Sequence, residues 1–276
     1  MLMQTFRQKE LLLLSIVLLV VALVAGCGGP KQDPILQLSA EESLEIGKEL
    51  MEKKKYSQAR EYLSHAFEVA PNSAVGREAL LLVADAHYLD GGSDNFIRAE
   101  AKYRDFLNRF PTSERAGYVQ LQLANSLSKR MLRPDRDQTA TRQALEAYDE
   151  LLLIYPGTQY AEEGRLEMAA LRENLADHEM IIGRYNFRRR LYTAATSRLS
   201  YLVEEFPEYS KMDRALYYLV VASYYANQPE EGKAALERLE TEYPDSPYLK
   251  DVNKRAEKAQ RKVDQLKKKM EKRAAK

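Results

Sequence analysis

The sequence predicts an all-α chain of about five helical hairpins wound into a repeat superhelix, with a helical extension at its C-terminus. Three observations carry this. An alanine stands twelve residues before a proline at Ala59/Pro71, Ala99/Pro111, Ala144/Pro156 and Ala195/Pro207, and glycine takes its place at Gly232/Pro244. Apolar side chains recur eight, five and one residues before each proline. The copies read Leu63, Ala66, Ala70; Tyr103, Phe106, Phe110; Tyr148, Leu151, Tyr155; Leu199, Leu202, Phe206; and Leu236, Leu239, Tyr243. Steps of three and four residues place these on one helical face. The proline then ends each helix, since its ring clashes with the preceding turn and it offers no N–H. Successive prolines lie 40, 45, 51 and 37 residues apart, the period of a helical solenoid.

Taken in order, residues 1–26 read as a secretory signal. Arg7 and Lys9 precede fifteen residues, Leu11 to Ala25, broken only by Ser15. That run is short for a membrane span, which needs about 20 residues, and suits the apolar core of a signal peptide. Leu23-Val24-Ala25-Gly26-Cys27 resembles the lipobox of bacterial lipoproteins, in which the cysteine is acylated and becomes the mature N-terminus. Cys27 is the single cysteine of the chain and falls where that motif needs it. The alternative is a short anchor with an incidental cysteine. Several acyl chains hold a protein on a membrane where one is marginal. Residues 27–39, with Gly28, Gly29, Pro30 and Pro34, form a non-helical tether. Gly28, in place of an aspartate, leans toward delivery to the outer membrane by the sorting rule of enteric lipoproteins.

Residues 40–249 hold the repeats. Ser39 and Glu42 are spaced as a capping box for the first helix. Ile46-Gly47, Tyr56, Ala59, Ala66 and Pro71 match the tetratricopeptide pattern in order and spacing, and its small residues let the two helices of a hairpin approach closely. Ile182-Gly183, Tyr192, Ala195 and Pro207 repeat the match; the fifth copy is weaker, with Val220 for glycine and Pro229 for the aromatic. Ser73, Ser113, Thr158 and Ser246 follow prolines and are placed to cap the next helix, whereas the fourth copy shows Tyr209-Ser210. Two stretches break the period. An insertion, Met131 to Thr139, separates two helices and is either a functional loop or a surface loop in which Asp137 or Thr139 caps the following helix. Residues 159–190 contain no proline and predict one long helix or two stacked in line.

Residues 250–276 form a basic tail, twelve Lys/Arg against four Asp/Glu. Val252, Ala256, Ala259, Val263, Leu266 and Met270 are spaced as a thin heptad seam. The tail is either a solvated extension of the last helix or a helix ordered by a partner or anionic lipid. The whole chain is +1, so the body between Cys27 and Leu249 is acidic, and a nucleic-acid partner, which would require a basic patch on the fold, is not expected.

No catalytic constellation is visible. His65, His87 and His178 share no short ligand spacing and no cysteine remains to join them; His87 sits in an apolar helix and reads as a packed residue. There is no phosphate loop, nucleophile elbow or dinucleotide fingerprint, and Glu41-Glu42 and Glu204-Glu205 fall on solvated faces. The sequence thus predicts no enzyme, cofactor or metal. Arg184-Tyr185-Asn186-Phe187-Arg188-Arg189-Arg190 concentrates four arginines in seven residues, too many to face a core, and arginine and tyrosine are enriched at binding hot spots.

These features together resemble the BamD (ComL-like) family, the tetratricopeptide lipoproteins of the outer-membrane β-barrel assembly machine. The resemblance rests on the lipobox at Cys27, the loop Asp135-Arg136-Asp137-Gln138-Thr139 before Ala144, the run from Tyr160 to Arg198, and helices ending in Tyr-Pro or Phe-Pro. It extends to about residue 249, and nothing is carried onto the tail. It implies a scaffold on the periplasmic face of the outer membrane that holds a POTRA domain of a BamA-type Omp85 insertase, sits with other lipoproteins of the complex, and receives unfolded barrel proteins. In the family's AA-x-x-R motif the arginine faces the POTRA domain; here it is Arg198. Arg184 and Arg188 are added from charge alone, and Arg136, Asp137 and Gln138 from the inserted loop. Lys48, Arg77 and Tyr88 are candidate contributors to a client-peptide groove. A different periplasmic repeat lipoprotein, such as a pilus-secretin pilotin or an envelope-division factor, is the alternative.

Overall fold

The computed structural model describes residues 34–274; the expected signal peptide, Cys27 and most of the expected tether lie outside them. A short 3-10 turn, Pro34–Gln37, precedes eleven α-helices and there is no strand among the described residues. The helices are α1 (Ala40–Glu52), α2 (Tyr56–Val69), α3 (Ala74–Asp90), α4 (Ser93–Arg109), α5 (Ala116–Ser128), α6 (Thr139–Ile154), α7 (Gln159–Arg188), α8 (Tyr192–Glu205), α9 (Met212–Tyr225), α10 (Pro229–Glu242) and α11 (Leu249–Ala274). They divide within α3 into two compact units, residues 34–79 and 80–274.

The five proline signals act through one local geometry. Each second helix of a hairpin ends two residues before its proline, and the intervening residue (Ala70, Phe110, Tyr155, Phe206 or Tyr243) leaves the helical region with φ between −137 and −123 and ψ between 50 and 62. The crowding of a proline ring on the preceding residue forbids helical backbone there, so the helix stops one residue earlier than the proline's missing N–H alone requires. The pattern residues fill the interior: Leu63, Tyr103, Tyr148, Leu151, Leu199, Leu202 and Leu239 have essentially no exposed surface, and neither do the alanine anchors.

At the other end of three of the hairpins the chain turns without glycine, whereas the α3–α4 turn uses Gly91 and Gly92. Lys54, Arg190 and Asn227 have φ of 56, 63 and 62. Each sits at the centre of the same two-bond turn, in which, for the first, the Lys55 N–H donates to the Leu50 carbonyl (2.8 Å) and the Lys54 N–H to that of Met51 (2.9 Å). This is the Schellman arrangement that satisfies the last helical carbonyls. Close approach explains the small residues of the first helices: a Cβ on Gly47 would stand 2.6 Å from the Leu63 side chain, and one on Gly183 2.8 Å from that of Leu199.

The unit 34–79 pairs α1 with α2. Ser39 and Glu42 form the expected capping box, each side chain bonded to the other's backbone N–H (3.2 and 2.9 Å), and buried Ser43 bonds the Nδ1 of His65 at 3.0 Å. In the unit 80–274 each helix from α4 to α10 packs on the next, and the first helices α5, α7 and α9 also touch in series. Hairpins stacked through their first helices are the tetratricopeptide architecture. Residues 159–188 form the single helix α7 of 30 residues, which reaches α5, α6, α8 and α9. Thr158 caps it by accepting from the Ala161 N–H (3.2 Å), and Ser73 accepts from the Gly76 N–H (3.0 Å). Ser113 and Ser246 instead brace the turns ahead of their helices. Ser210 donates its N–H to Glu173 of α7 at 3.1 Å, so the copy without a hydroxyl cap is tied to the long helix. The final helix α11 packs on α9 and α10, with Val252, Ala256 and Ala259 buried.

Candidate functional site

The middle of α7 gathers the charged residues of the second unit. Glu179 lies on the face that also buries Leu175, Ala176, Met180 and Gly183, and only 1% of it is exposed. A polar group buried this deeply needs hydrogen-bond partners. Two arginines supply them: Arg198 of α8 donates Nη1 to Glu179 Oε2 at 2.9 Å, and Arg142 of α6 places Nη2 3.5 Å from Oε1. Both side chains stay about half exposed, 44% and 45%. One end of each arginine is therefore fixed from beneath while the remaining donors face solvent. Two guanidinium groups stand over one carboxylate here, and arginine is a residue suited to recognising carboxylates.

The inserted loop lies against the same stretch of helix. Asn174 donates Nδ2 to the Leu132 carbonyl (2.9 Å), and His178 Nδ1 lies 2.7 Å from the Pro134 carbonyl. Gln138 points inward, buried: its Nε2 donates to the carbonyls of Arg133 (2.9 Å) and Arg136 (3.1 Å), and its Oε1 accepts from Thr141 (3.0 Å). Gln138 thus shapes the loop, while Arg136 and Asp137 are among its exposed residues. Asp137 accepts from the Thr139 hydroxyl at 2.9 Å, a local turn; the residue preceding α6 is Gln138, which makes no side-chain capping bond.

The arginine cluster at the end of α7 separates into two kinds. Arg184 is half-buried with its guanidinium 5.6 Å from the Tyr218 ring centre and its Nε enclosed without a hydrogen-bond partner. Packing against α9 makes it part of an aromatic layer that includes Phe187, Tyr218 and the Tyr192–Tyr225 stack, whose centres are 4.4 Å apart. Arg188 is exposed.

The three groove candidates do not share a unit. Lys48 and Arg77 belong to residues 34–79, and Tyr88 to residues 80–274. Lys48 is paired with Glu78 (3.0 Å) and Glu45 (3.3 Å), and the hydrogen bond to Glu78 foremost holds its ammonium pKa above the usual value. Tyr88 packs its ring 5.8 Å from that of Phe96, and burial raises its hydroxyl pKa. The second unit also holds a half-buried carboxylate, Asp85, which accepts from the hydroxyls of Tyr103 (2.7 Å) and Tyr118 (3.1 Å). Burial pushes its pKa up, opposed by those two bonds and by Arg115. An open cleft of about 560 Å³ between α4, α5 and α6 is lined by Arg104, Gln120, Glu146, Glu150 and Tyr155, with Gln120 committed to the Ala147 carbonyl and Glu150 at 3.1 Å each.

Among the described residues no group of His, Cys, Asp and Glu is arranged to hold a metal, and no helix is long and apolar enough to cross a membrane. Arg142, Asn174 and Glu179 were not singled out from sequence. Glu179 did leave a signal, since a carboxylate stands in register with the apolar face of α7.

Proteins called outer membrane protein assembly factor BamD are similar in Caulobacter vibrioides (29% identity, 78% of this chain and 70% of that one), Neisseria gonorrhoeae (29%, 65% and 70%) and Rickettsia prowazekii (24%, 86% and 93%). Among solved structures, the TPR2AB domain of yeast Sti1 in an Hsp90 complex overlays with a TM-score of 0.40 at 14% identity, across 84% of this chain and 87% of that one, too distant to bear on function. Residues 37–239 match the family YfiO, outer membrane lipoprotein, and the chain belongs to that family.

Proposed function

We propose that this chain is a lipid-anchored scaffold of outer-membrane β-barrel assembly, tethered through Cys27 to the periplasmic face of the outer membrane. In this reading it works by binding rather than by catalysis. Its hairpins from α6 onward hold a POTRA domain of a BamA-type Omp85 protein, and its first hairpins receive unfolded barrel proteins alongside other lipoproteins of the complex. Family membership and the assembly-factor names of the relatives support the general role. The observation that favours this surface is Glu179, buried beneath Arg142 and Arg198 with the inserted loop fastened beside them. Fixed arginines with donors left toward solvent suit an acidic protein face, because the entropy of ordering them has already been lost in folding.

The test is a pull-down from detergent-solubilised envelopes with the wild-type chain, Arg198→Lys and Arg188→Glu. Arg198→Lys keeps a cation over Glu179 but loses the planar fork, so a folded variant that recovers less Omp85 protein supports the reading. Equal recovery with all three would discard these arginines as decisive contacts. Recovery of a secretin or a division protein in place of the Omp85 protein would move the chain to another repeat-lipoprotein role.

A further inference from the structure

The last helix is only half used by the fold. In α11 the seam positions Val252, Ala256 and Ala259 are buried against the repeat domain, while Leu266 and Met270, continuing the same seam, are 54% and 69% exposed. With Val263 and Met270 in the a positions of a heptad and Leu266 in d, the residues bordering the seam in e and g are Lys262, Lys267 and Lys269. The two acids of this half, Asp264 and Glu271, both fall at b, away from the seam, and Asp264 already accepts from Gln260 Nε2 at 2.9 Å. Residues 261–274 carry seven Lys/Arg against two Asp/Glu.

From this we infer that the distal half of α11 is a docking strand for an acidic amphipathic helix of another protein, laid along Val263, Leu266 and Met270. The seam is continuous with an interface that the fold already uses, so the first heptad is set in place by α9 and α10 before a partner arrives. Charge chooses the partner. Flanking residues at e and g oppose one another across a two-stranded coil, so a second copy of this chain would set lysine against lysine, whereas Glu or Asp at those positions would pair with Lys262, Lys267 and Lys269. A membrane surface is the weaker match, because an interfacial helix buries a broad face of large apolar residues and this half offers a stripe one residue wide. The inference does not depend on the POTRA reading.

Photocrosslinking in the native envelope tests it, with p-benzoylphenylalanine in place of Met270 on the seam or of Lys268, which lies at f on the opposite side. The full lipidated chain is used. The expected result is an adduct from position 270 at least tenfold stronger than from 268, whose crosslinked peptide, sequenced by mass spectrometry, has Glu or Asp at the e and g positions of a heptad. Adding Leu266→Ser, an exposed site whose change leaves the fold intact, should reduce that adduct at least tenfold. An adduct with phospholipid, an adduct with a second copy, equal adducts from both positions, or none would each overturn the inference.

Discussion

Glu179 concentrates the residue-scale argument. Arg198→Glu would place a second carboxylate against a buried one and leave Arg142, at 3.5 Å, as its remaining cation. Half-exposed arginines temper the loss, so we expect about 2 kcal/mol of destabilisation, read as a lower urea midpoint. Glu179→Gln removes the buried charge and lets both arginines return to water, and should cost less than about 1 kcal/mol. A charge reversal at Arg198 therefore confounds folding with binding, which is why the lysine variant is the better probe. Asp85 gives a pH-dependent case. Its raised pKa means that the folded state prefers the protonated carboxyl, so stability contributed by protonation is present at low pH and is lost as pH rises through the folded pKa. Asp85→Asn retains an acceptor for Tyr103 and Tyr118 and should raise Tm at pH 7. That gain should shrink as the pH falls toward 4 and the wild-type carboxyl protonates. None of these contacts could be read from sequence, since the Glu179 pairs span 37 and 19 residues and the Asp85 pairs 18 and 33. They arise where separate helices meet, and sequence periodicity describes one helix at a time. Arg184 is the converse case, because its charge was legible in the sequence and its Tyr218 platform was not.

At the scale of elements, what is local was legible. The proline-ended helices, the capping box and the extent of α7 follow from backbone sterics and apolar spacing, both carried by neighbouring residues. The turns at Lys54, Arg190 and Asn227 were not, because these left-handed positions usually signal themselves with glycine and here do not. Lys54→Gly should be neutral or slightly stabilising, while Lys54→Val, a β-branched residue forced to positive φ, should cost about 1–2 kcal/mol; chemical unfolding of the pair measures the difference. The tight hairpin contact gives a second check. Gly183→Ala meets a fully buried Leu199 and should cost about 1–3 kcal/mol through overpacking, seen as a fall in Tm. The heptad spacing of α11 was visible in the sequence, whereas the point at which its seam leaves the fold depends on where α9 and α10 end.

For the whole molecule, the chain belongs to the YfiO family and is built from tetratricopeptide hairpins. We read the N-terminal cysteine as its anchor and the arginine surface over α7 as its means of holding a partner. If Cys27 carries the lipid, Cys27→Ser should release the chain from the membrane fraction into the soluble periplasmic fraction, which fractionation and blotting would show. The central claim is that the arginines over Glu179 receive an acidic partner. It is tested most directly by calorimetric titration of the detergent-solubilised chain with the purified POTRA region of the cognate Omp85 protein, alongside Arg198→Lys and Arg142→Lys. The expected result is one-to-one binding that weakens about tenfold in either variant, roughly 1.4 kcal/mol, with unfolding midpoints unchanged. A folded wild-type chain that fails to bind, or variants that bind as tightly as wild type, would contradict it.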